Sequence, residues 1–376
     1  MKSFKMNGFN KLLVFLMIVI ILICLVGFAA NGWQSPNENK SDSGDVGENT
    51  DQTDGNKDDE GNKTPTDENQ SGENREEEII EIPKYYNTIT GLEISADQLS
   101  STPLGFVINS DSPLYGISDS DVVFEIPTEK SSTRFVAYTT NKNMLWKVGT
   151  LAPTRAFISS LSNLFGGLII SYKNDDIVKY NALDVSGTTL DLSKFSGSYY
   201  VENSNYIYTS ADLVSGAMIN TDSLKLSVYK SPPYVLSGET VIGTTRANTI
   251  ILPYSDLSET EFYYSQDTKE YTLYKSGIKK NDMLTGKSAS FTNVFILFAN
   301  STTYENADGK ELVMDITSGG SGYYISNGYL TEFRWSVDEN GSLIFKNLSG
   351  ETLSVNKGNS YIGYFKSSSS SLVTVG

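Results

Sequence analysis

The chain has 376 residues, a length typical of about two domains. It carries 45 acidic and 29 basic residues, one cysteine and no histidine. Without histidine, Ser-His-Asp and Cys-His catalysis and the usual histidine-rich zinc sites are excluded. A single cysteine allows no intrachain disulfide, so a folded region has to be stabilised by its core.

An uncharged apolar run opens the chain at residues 12–30. As a helix, its 19 residues would span about 28 Å, close to the thickness of the hydrocarbon core of a bilayer. Three lysines precede the run, and the next basic residue after it is Lys40. The positive-inside rule therefore predicts a single-pass cell-membrane protein with a cytoplasmic stub (residues 1–11), a transmembrane anchor (residues 12–30) and everything after it outside.

Two other interpretations of this run stay open. A signal peptide could be cleaved near Gly27-Phe28-Ala29, although the apolar run is longer than a usual signal-peptide core. A lipid could be attached to Cys24, although the bulky Ile23 precedes it. All three interpretations deliver the same outer domain.

Residues 31–82 are predicted to form an acidic disordered linker. Between Gln34 and Glu81 there are 16 acidic and 4 basic residues and almost no aliphatic side chains, so this stretch cannot offset the entropy of folding. From Ile82 onward 29 acidic and 22 basic residues remain. A nucleic-acid partner on the extracytoplasmic side is not expected, because no basic face is apparent.

The rest of the chain predicts an α+β domain at residues 83–240 and an antiparallel β domain, a sheet or partly closed barrel, at residues 241–376. Helical spacing from Arg155 to Phe165 and a cap at Thr209-Ser210 predict two helices in the first domain. Asn327-Gly328 and Asn340-Gly341 predict two-residue hairpin turns in the second. The predicted strands are Phe106-Val107-Ile108, Val122-Val123-Phe124, Phe135 to Tyr138, Leu168 to Tyr172, Thr249 to Leu252, Phe262 to Tyr264, Tyr271 to Tyr274 and Val294 to Phe298.

A colinear series of short segments runs through both predicted domains. In the first domain the segments are Thr90-Gly91-Leu92, Phe106 to Asn109, Ser120 to Glu125 and Ser132-Thr133-Arg134-Phe135; in the second they are Asp282-x-x-Thr285-Gly286, Asn293-Val294, Gly320-Ser321-Gly322 and Trp335-Ser336. In this order the segments resemble the YerB-like lipoprotein family. The resemblance covers residues 86–366. It implies a two-part extracytoplasmic region of unassigned function in the Gram-positive envelope.

The chain departs from the family pattern in two places. Where the family tends to have Gly-Pro-x-Arg-Ser-x-Arg, only Gly149 and Arg155 survive. Where the family often has a histidine two residues before the aspartate, this chain has Lys280. A divergent member that has lost part of a pocket fits these departures.

A hairpin centred between Glu129 and Lys130 would place Glu125 opposite Arg134 and Asp121 opposite Tyr138. Arg134, with Arg155 nearby, could then hold a carboxylate or phosphate of a ligand. A plain cross-strand salt bridge explains the same pattern.

The predicted catalytic carboxylates are Glu125, Asp121 and Asp282, which could act as acid and base on a glycoside if suitably spaced. Asp282 equally suits a turn.

Further ligand contacts are predicted at Asn109, at Asn205 and Tyr208 just before the second helix, and at Trp335. Trp335 gathers with several tyrosines around one hairpin, which suits sugar stacking but also an ordinary half-buried strand. The run from Gly319 to Gly322 lacks the Lys-Ser/Thr and the helix of a nucleotide-binding loop.

Three functions remain open. The first is a binding or scaffolding module for a wall polymer or surface protein. The second is a carboxylate-dependent cell-wall hydrolase or transferase. The third is an inactive relative acting through protein interactions. No cofactor and no metal are predicted, and the membrane is contacted through residues 12–30.

Overall fold

The predicted stub, anchor and linker lie outside the residues that the structure describes. Among the described residues, no helix has the length and apolarity needed to span a membrane. The structure is a computed structural model that describes residues 84–98, 102–128, 132–141, 146–174, 188–203, 205–221, 224, 230–306 and 309–376.

The described residues are mostly strand, with three short α-helices. The helices are α1 (Ala156–Ser159), α2 (Leu161–Leu164) and α3 (Ala211–Ile219). Short 3-10 turns occupy Ala96–Gln98, Ile117–Asp119, Leu192–Lys194 and Ser367–Leu372. The strands before α3 are β1 (Tyr85–Tyr86), β2 (Glu93–Ile94), β3 (Leu104–Asn109), β4 (Val122–Pro127), β5 (Thr133–Thr139), β6 (Val148–Gly149), β7 (Leu168–Ser171), β8 (Thr189–Asp191), β9 (Tyr200–Glu202) and β10 (Tyr206–Thr209).

Sixteen further strands follow α3 in the described residues. They are β11 (Val235–Leu236), β12 (Thr245–Arg246), β13 (Thr249–Ser255), β14 (Ser258–Ser265), β15 (Glu270–Lys275), β16 (Ile278–Lys279), β17 (Ser290–Phe291), β18 (Asn293–Ala299), β19 (Ser301–Asn306), β20 (Gly309–Met314), β21 (Gly320–Ser326), β22 (Tyr329–Val337), β23 (Leu343–Lys346), β24 (Ser354–Val355), β25 (Ser360–Lys366) and β26 (Thr374–Val375). All eight predicted strand segments fall within strands or at most one residue beyond them.

An eleven-stranded sheet forms the centre of the fold. Its order is β12-β22-β21-β18-β25-β4-β5-β3-β7-β8, with β23 also paired to β22. Strand β25 lies parallel to both β18 and β4, so it joins strands from the two predicted domains into one sheet. The prediction of a wholly antiparallel second half is therefore wrong. None of the six sheets formed by the described residues closes into a barrel.

The central strands of this sheet are buried on both faces. One face packs against a six-stranded sheet of β16-β15-β14-β13-β26 with β17, through residues such as Val123, Phe135 and Phe262. The other face packs against α1 and α2 through residues such as Phe124 and Val136. Burial on both faces explains why β4 is apolar at nearly every position, as in parallel sheets of α/β proteins.

Capping and turn chemistry were partly predictable. Ser210 is the N-cap of α3, and its hydroxyl accepts a hydrogen bond from the Leu213 N–H, as predicted. Asn327 and Gly328 both have positive φ and join β21 to β22 as a two-residue turn. The prediction for Asn340-Gly341 is wrong. Asp338 organises a longer loop there, accepting hydrogen bonds from the Asn340 and Ser342 N–H groups.

The predicted register of the β4–β5 hairpin is also wrong, by one residue. Glu125 lies opposite Phe135, and Arg134 lies opposite Ile126. Because side chains alternate between faces, this shift puts Glu125 and Arg134 on opposite sides of the sheet. The predicted salt bridge between them is therefore excluded by the strand geometry.

Candidate functional site: a tyrosine–lysine cluster

The first predicted catalytic carboxylate, Glu125, is completely buried between the two large sheets. Its Oε1 accepts a hydrogen bond from Lys275 Nζ at 2.7 Å, and its Oε2 accepts one from the Tyr361 hydroxyl. Thr133 and Thr260 donate their hydroxyls to the same carboxylate. Lys275 is 2% exposed, so the pair is dehydrated and fully enclosed by protein groups. This arrangement joins the two sheets.

Asp121 stands just before β4 and is held by the loop that follows β1. Asn87 Nδ2 donates to Oδ1 at 2.8 Å, while the Thr140 N–H and hydroxyl both donate to Oδ2 at 2.7 Å. Burial raises the pKa of Asp121, and the hydrogen bonds from Thr140 and Asn87 partly oppose that rise. Both carboxylate oxygens are thus engaged with the protein.

Asp282 is fully buried and organises the turn that follows it. Its Oδ1 accepts from the Leu284 and Thr285 N–H groups, and its Oδ2 accepts from the N–H and hydroxyl of Ser118. The alternative prediction, that Asp282 is a turn residue, is confirmed. Asp119 lies close by. Burial raises the pKa of Asp119, and the Asp282 charge raises it further.

Replacing Asp282 with alanine is expected to lower the free energy of unfolding by about 1–3 kcal/mol, because the partly buried donors of the turn and of Ser118 would lose their acceptor. Urea denaturation would measure the change. Asp256→Ala, at an exposed turn between β13 and β14, is the matched control. Equal stability of the two variants would show that the Asp282 hydrogen bonds contribute nothing.

Arg134 and Asn109 are cross-strand neighbours on β5 and β3. Arg134 Nη1 donates to the Thr133 carbonyl at 3.2 Å and to the Ser132 hydroxyl at 3.4 Å. Arg155 stands at the N-cap position of α1 and is 9% exposed. The two arginines belong to the side of the sheet that α1 and α2 cover. Joint action on one ligand by this pair stays a prediction.

Tyr208 lies in a cluster of aromatic rings around one lysine, beyond the C-terminal end of β3. We call Tyr115, Lys147, Tyr200, Glu202 and Tyr208 the tyrosine–lysine cluster. Lys147 Nζ is 4.2 Å from the Tyr115 ring centroid, 4.1 Å from that of Tyr208 and 5.8 Å from that of Tyr200. It also forms a 2.7 Å ion pair with Glu202. The rings of Tyr115 and Tyr208 meet edge to face at 5.0 Å.

The backbone explains how these distant residues meet. Strand β10 pairs with β6 and β9, which sets Tyr208 opposite both Gly149 and Tyr200. Tyr115 is tied to Gly149 by two backbone hydrogen bonds. A Cβ at Gly149 would lie 2.6 Å from the Ile207 carbonyl oxygen and 2.8 Å from the Tyr208 ring, so only glycine fits here.

The electrostatics of the cluster keep its lysine charged. Burial alone lowers the pKa of Lys147, but the hydrogen bond to Glu202 and the neighbouring Tyr115 and Tyr200 raise it above its ordinary value. The lysine side chain keeps 18% of its surface exposed and Glu202 keeps 43%. Tyr115 and Tyr200 are half-buried, so a ligand can contact these two rings and both charges, whereas Tyr208 is 1% exposed and lies beneath them.

Trp146 adds a large exposed ring immediately before Lys147. It is 77% exposed, whereas Trp335, the other tryptophan in the described part of the chain, is 2% exposed and packs in the core. Sequence reasoning chose Trp335 and missed Trp146, because nothing local distinguishes an exposed tryptophan from a buried one. Asn205 is exposed in the short connection between β9 and β10, next to the cluster.

The comparisons with known proteins fit this fold. Residues 89–222 match the family described as "Protein of unknown function (DUF3048) N-terminal domain", and residues 250–362 match its C-terminal domain. The chain belongs to the DUF3048 family. No curated protein matches it. The crystal structure of the YerB protein from Bacillus subtilis is similar, with a TM-score of 0.65 and 22% identity, covering 78% of this chain and all of that one.

The family resemblance inferred from the short segments is thereby confirmed. For this DUF3048 member, the similarity to YerB at 22% identity establishes the fold and carries no activity with it. The family segments contribute mainly to the core and its polar contacts. Glu125, Asp282 and Trp335 all come from such segments, and all three are buried. The tyrosine–lysine cluster falls almost entirely between these segments.

Proposed function

We propose that this chain is an extracytoplasmic envelope protein, anchored by residues 12–30, whose outer domain is a non-catalytic binding module for a wall polymer or a surface partner. The observation that carries the proposal is the tyrosine–lysine cluster together with the exposed Trp146, which precedes Lys147 in the chain. Tyrosine and tryptophan offer apolar faces together with polar tips, which is why they are enriched at carbohydrate sites and protein interfaces.

Binding is favoured over hydrolysis by the state of the carboxylates. Glycoside cleavage needs two carboxyl groups on either side of an accessible bond. Glu125 and Asp282 have no exposed surface, and Asp121 directs both oxygens at Asn87 and Thr140. Each already accepts several internal hydrogen bonds, so a structural role accounts for all three.

The cluster suits a polar, ring-bearing ligand. A sugar ring can stack on Trp146, while Lys147 and Glu202 offer a donor and an acceptor for its substituents. The acidic linker predicted at residues 31–82 would hold this surface away from the membrane, since repulsion between like charges favours extended chains. An amino sugar polymer of the wall presents both the rings and the charges that this surface can contact.

The proposal predicts that the full chain co-sediments with isolated cell-wall sacculi in the presence of a non-ionic detergent. Trp146→Ala and Tyr200→Ala should each weaken this binding by about tenfold, the effect of losing about 1.4 kcal/mol of contact. Tyr86→Ala, at an exposed tyrosine on β1, should bind as the unchanged chain does. Bound protein is measured by gel densitometry across a range of sacculus concentrations.

Mass spectrometry of the same supernatants separates the alternatives. Soluble wall fragments that disappear with Asp282→Asn, in protein that remains folded, would make the chain an enzyme and overturn the proposal. Absence of sedimentation would reject a wall polymer as the ligand. Sedimentation that persists in both aromatic variants would reject the cluster as the contact surface.

A further inference from the structure

A polar groove with two cations lies on the eleven-stranded sheet, where β21, β22 and β23 run side by side. Its volume is about 440 Å³, and its lining includes Arg334, Lys346 and the glycine-rich segment at residues 318–321. We call it the Arg334–Lys346 groove. The glycine run at residues 319–322, which the sequence analysis could not assign to a site, borders this groove.

The strand register places the two cations directly opposite one another. Arg334 pairs with Lys346 across β22 and β23, and with Ser321 across β22 and β21. The three side chains therefore form one row on one face of the sheet. Both cations are exposed, and neither forms an ion pair with any described residue. Like charges directly opposite each other destabilise a sheet, so stability does not explain this pair.

The remaining lining supplies neutral polar groups. Ser318 and Ser321 carry hydroxyls, and no described residue lining the groove carries a carboxylate. Gly319 has positive φ, and a Cβ on Gly320 would lie 2.3 Å from the Phe298 carbonyl oxygen. Protein atoms already fill the space that a side chain would need at both positions, so these two glycines are required by close packing beneath the groove.

Two carboxylates lie near the groove without lining it. Glu332 shares the face of Arg334 two residues earlier on β22, and it is exposed. Glu351 accepts a hydrogen bond from Asn347 Nδ2 at 3.0 Å. From Ile82 onward the chain carries 29 acidic and 22 basic residues, so the folded region is only mildly acidic. An anion that enters the groove meets two positive side chains and polar walls, with no carboxylate among the lining residues.

We propose that the Arg334–Lys346 groove binds a phosphate group. The guanidinium of Arg334 can bind two phosphate oxygens through its planar fork, and the Lys346 ammonium acts as a second point charge. The serine hydroxyls can donate to the remaining oxygens. A nucleotide is not favoured, because Gly319 and Gly320 lead into strand β21 rather than into a helix.

This site is separate from the tyrosine–lysine cluster. Strand β22 lies six strand spacings from β3 in the sheet order, which amounts to about 29 Å at about 4.8 Å per spacing. Phosphate binding here does not depend on the proposed function of the cluster, and the two can fail independently. Both would be available to a polymer that carries sugars and phosphodiesters.

The test titrates the full chain, in non-ionic detergent, with inorganic phosphate and with an oligomer of glycerol phosphate at fixed ionic strength. Calorimetry should detect saturable binding. Arg334→Gln and Lys346→Gln should each weaken it by about tenfold or more. Lys279→Gln removes the same charge from an exposed position in the other large sheet and should leave binding unchanged. Because both substituted side chains are exposed and each variant removes a like-charge repulsion, the thermal transition should stay where it is or rise slightly, which confirms folding.

A further titration with mixed micelles containing phosphatidylglycerol distinguishes the source of the phosphate. Tighter binding to the micelles than to the soluble oligomer, lost in Arg334→Gln, would identify a lipid headgroup as the phosphate donor. Tighter binding to the oligomer would identify a soluble phosphodiester. If no titration saturates, or if Arg334→Gln and Lys346→Gln bind as well as Lys279→Gln, the groove is not a phosphate site.

Discussion

Replacing Lys275 with methionine is expected to lower the free energy of unfolding by about 3–5 kcal/mol. The ammonium is 2% exposed and lies 2.7 Å from the fully buried Glu125 carboxylate. Removing it leaves a dehydrated negative charge whose other partners are neutral hydroxyls, including those of Thr133 and Tyr361. Such a charge is far more costly than the lost attraction alone.

The double variant Glu125→Gln/Lys275→Met separates the ion pair from the packing around it. With both charges gone, only polar and apolar groups remain, so the double variant should be more stable than Lys275→Met alone. Urea denaturation measures all three proteins. Lys279→Met, at an exposed position four residues further along, is the control for adding a methionine. A loss below about 1 kcal/mol for Lys275→Met would contradict a buried ion pair that joins the two sheets.

The same experiment bears on the catalytic hypothesis. If Glu125 served chemistry, Glu125→Gln would abolish an activity while leaving the protein stable. A residue that ties β4 to β14 and β15 would instead show its effect as lost stability. The surroundings of Glu125 favour the second outcome, since its partners come from both large sheets.

Local sequence was sufficient for the elements and for some of their ends. Strands β3, β4 and β18 follow from runs of apolar and β-branched residues, and the start of α3 follows from Ser210 as an N-cap. Such signals depend on a few neighbouring residues. Asn327-Gly328 was predicted correctly for the same reason, since both residues adopt the positive φ that the turn requires.

The register of β4 could not be read in this way. When one face of a strand is exposed, the alternation of polar and apolar residues indicates its register. In β4 this signal is absent, because both faces of the strand are covered and Val122 to Ile126 are all buried. The hairpin loop then leaves two registers that differ by one residue. The predicted register paired Glu125 with Arg134. In the structure the charged partner of Glu125 is Lys275, which is 150 residues away in the chain.

The pairing of strands that lie far apart in the chain could not be predicted from local sequence either. Strand β25 lies parallel to β4 although Tyr361 and Val123 are 238 positions apart in the chain, and no turn connects them. The tyrosine–lysine cluster draws on four separate segments of the chain. Sequence reasoning reached Tyr208 only through its position before α3. The cation row of Arg334 and Lys346 likewise depends on the register of β22 and β23, which the mistaken turn at Asn340-Gly341 would have shifted.

Raising the pH above about 10 is expected to unfold the protein steeply, because several tyrosines are buried too deeply to ionise in the folded state. Burial raises the pKa values of Tyr138, Tyr254, Tyr361 and Tyr364 well above the usual range. The unfolded chain loses these protons near pH 10, whereas the folded chain keeps them. The stabilising effect of a raised pKa is fully present below about pH 10, and it is lost as the pH rises further.

Each such tyrosine should contribute a slope of about 1.4 kcal/mol per pH unit above its unfolded pKa. Urea denaturation between pH 8 and pH 11 measures the slope, and absorbance at high pH shows whether phenolate appears together with unfolding. A protein that titrates all of its tyrosines near pH 10 while still folded would rule out this account of their burial.

The variants Tyr138→Phe and Tyr364→Phe test whether individual buried tyrosines produce the loss of stability at high pH. Among the described residues, neither hydroxyl has a hydrogen-bond partner. Removing either one should therefore leave the stability near pH 7 unchanged or slightly higher, since an unsatisfied buried polar group is lost. Each change should also reduce the alkaline slope by about 1.4 kcal/mol per pH unit, because one fewer proton is released on unfolding. Tyr86→Phe, at an exposed ring, should alter neither quantity. Loss of stability at pH 7 in Tyr364→Phe would mean that its hydroxyl binds a partner after all. An unchanged alkaline slope in both variants would show that these two buried hydroxyls do not produce it.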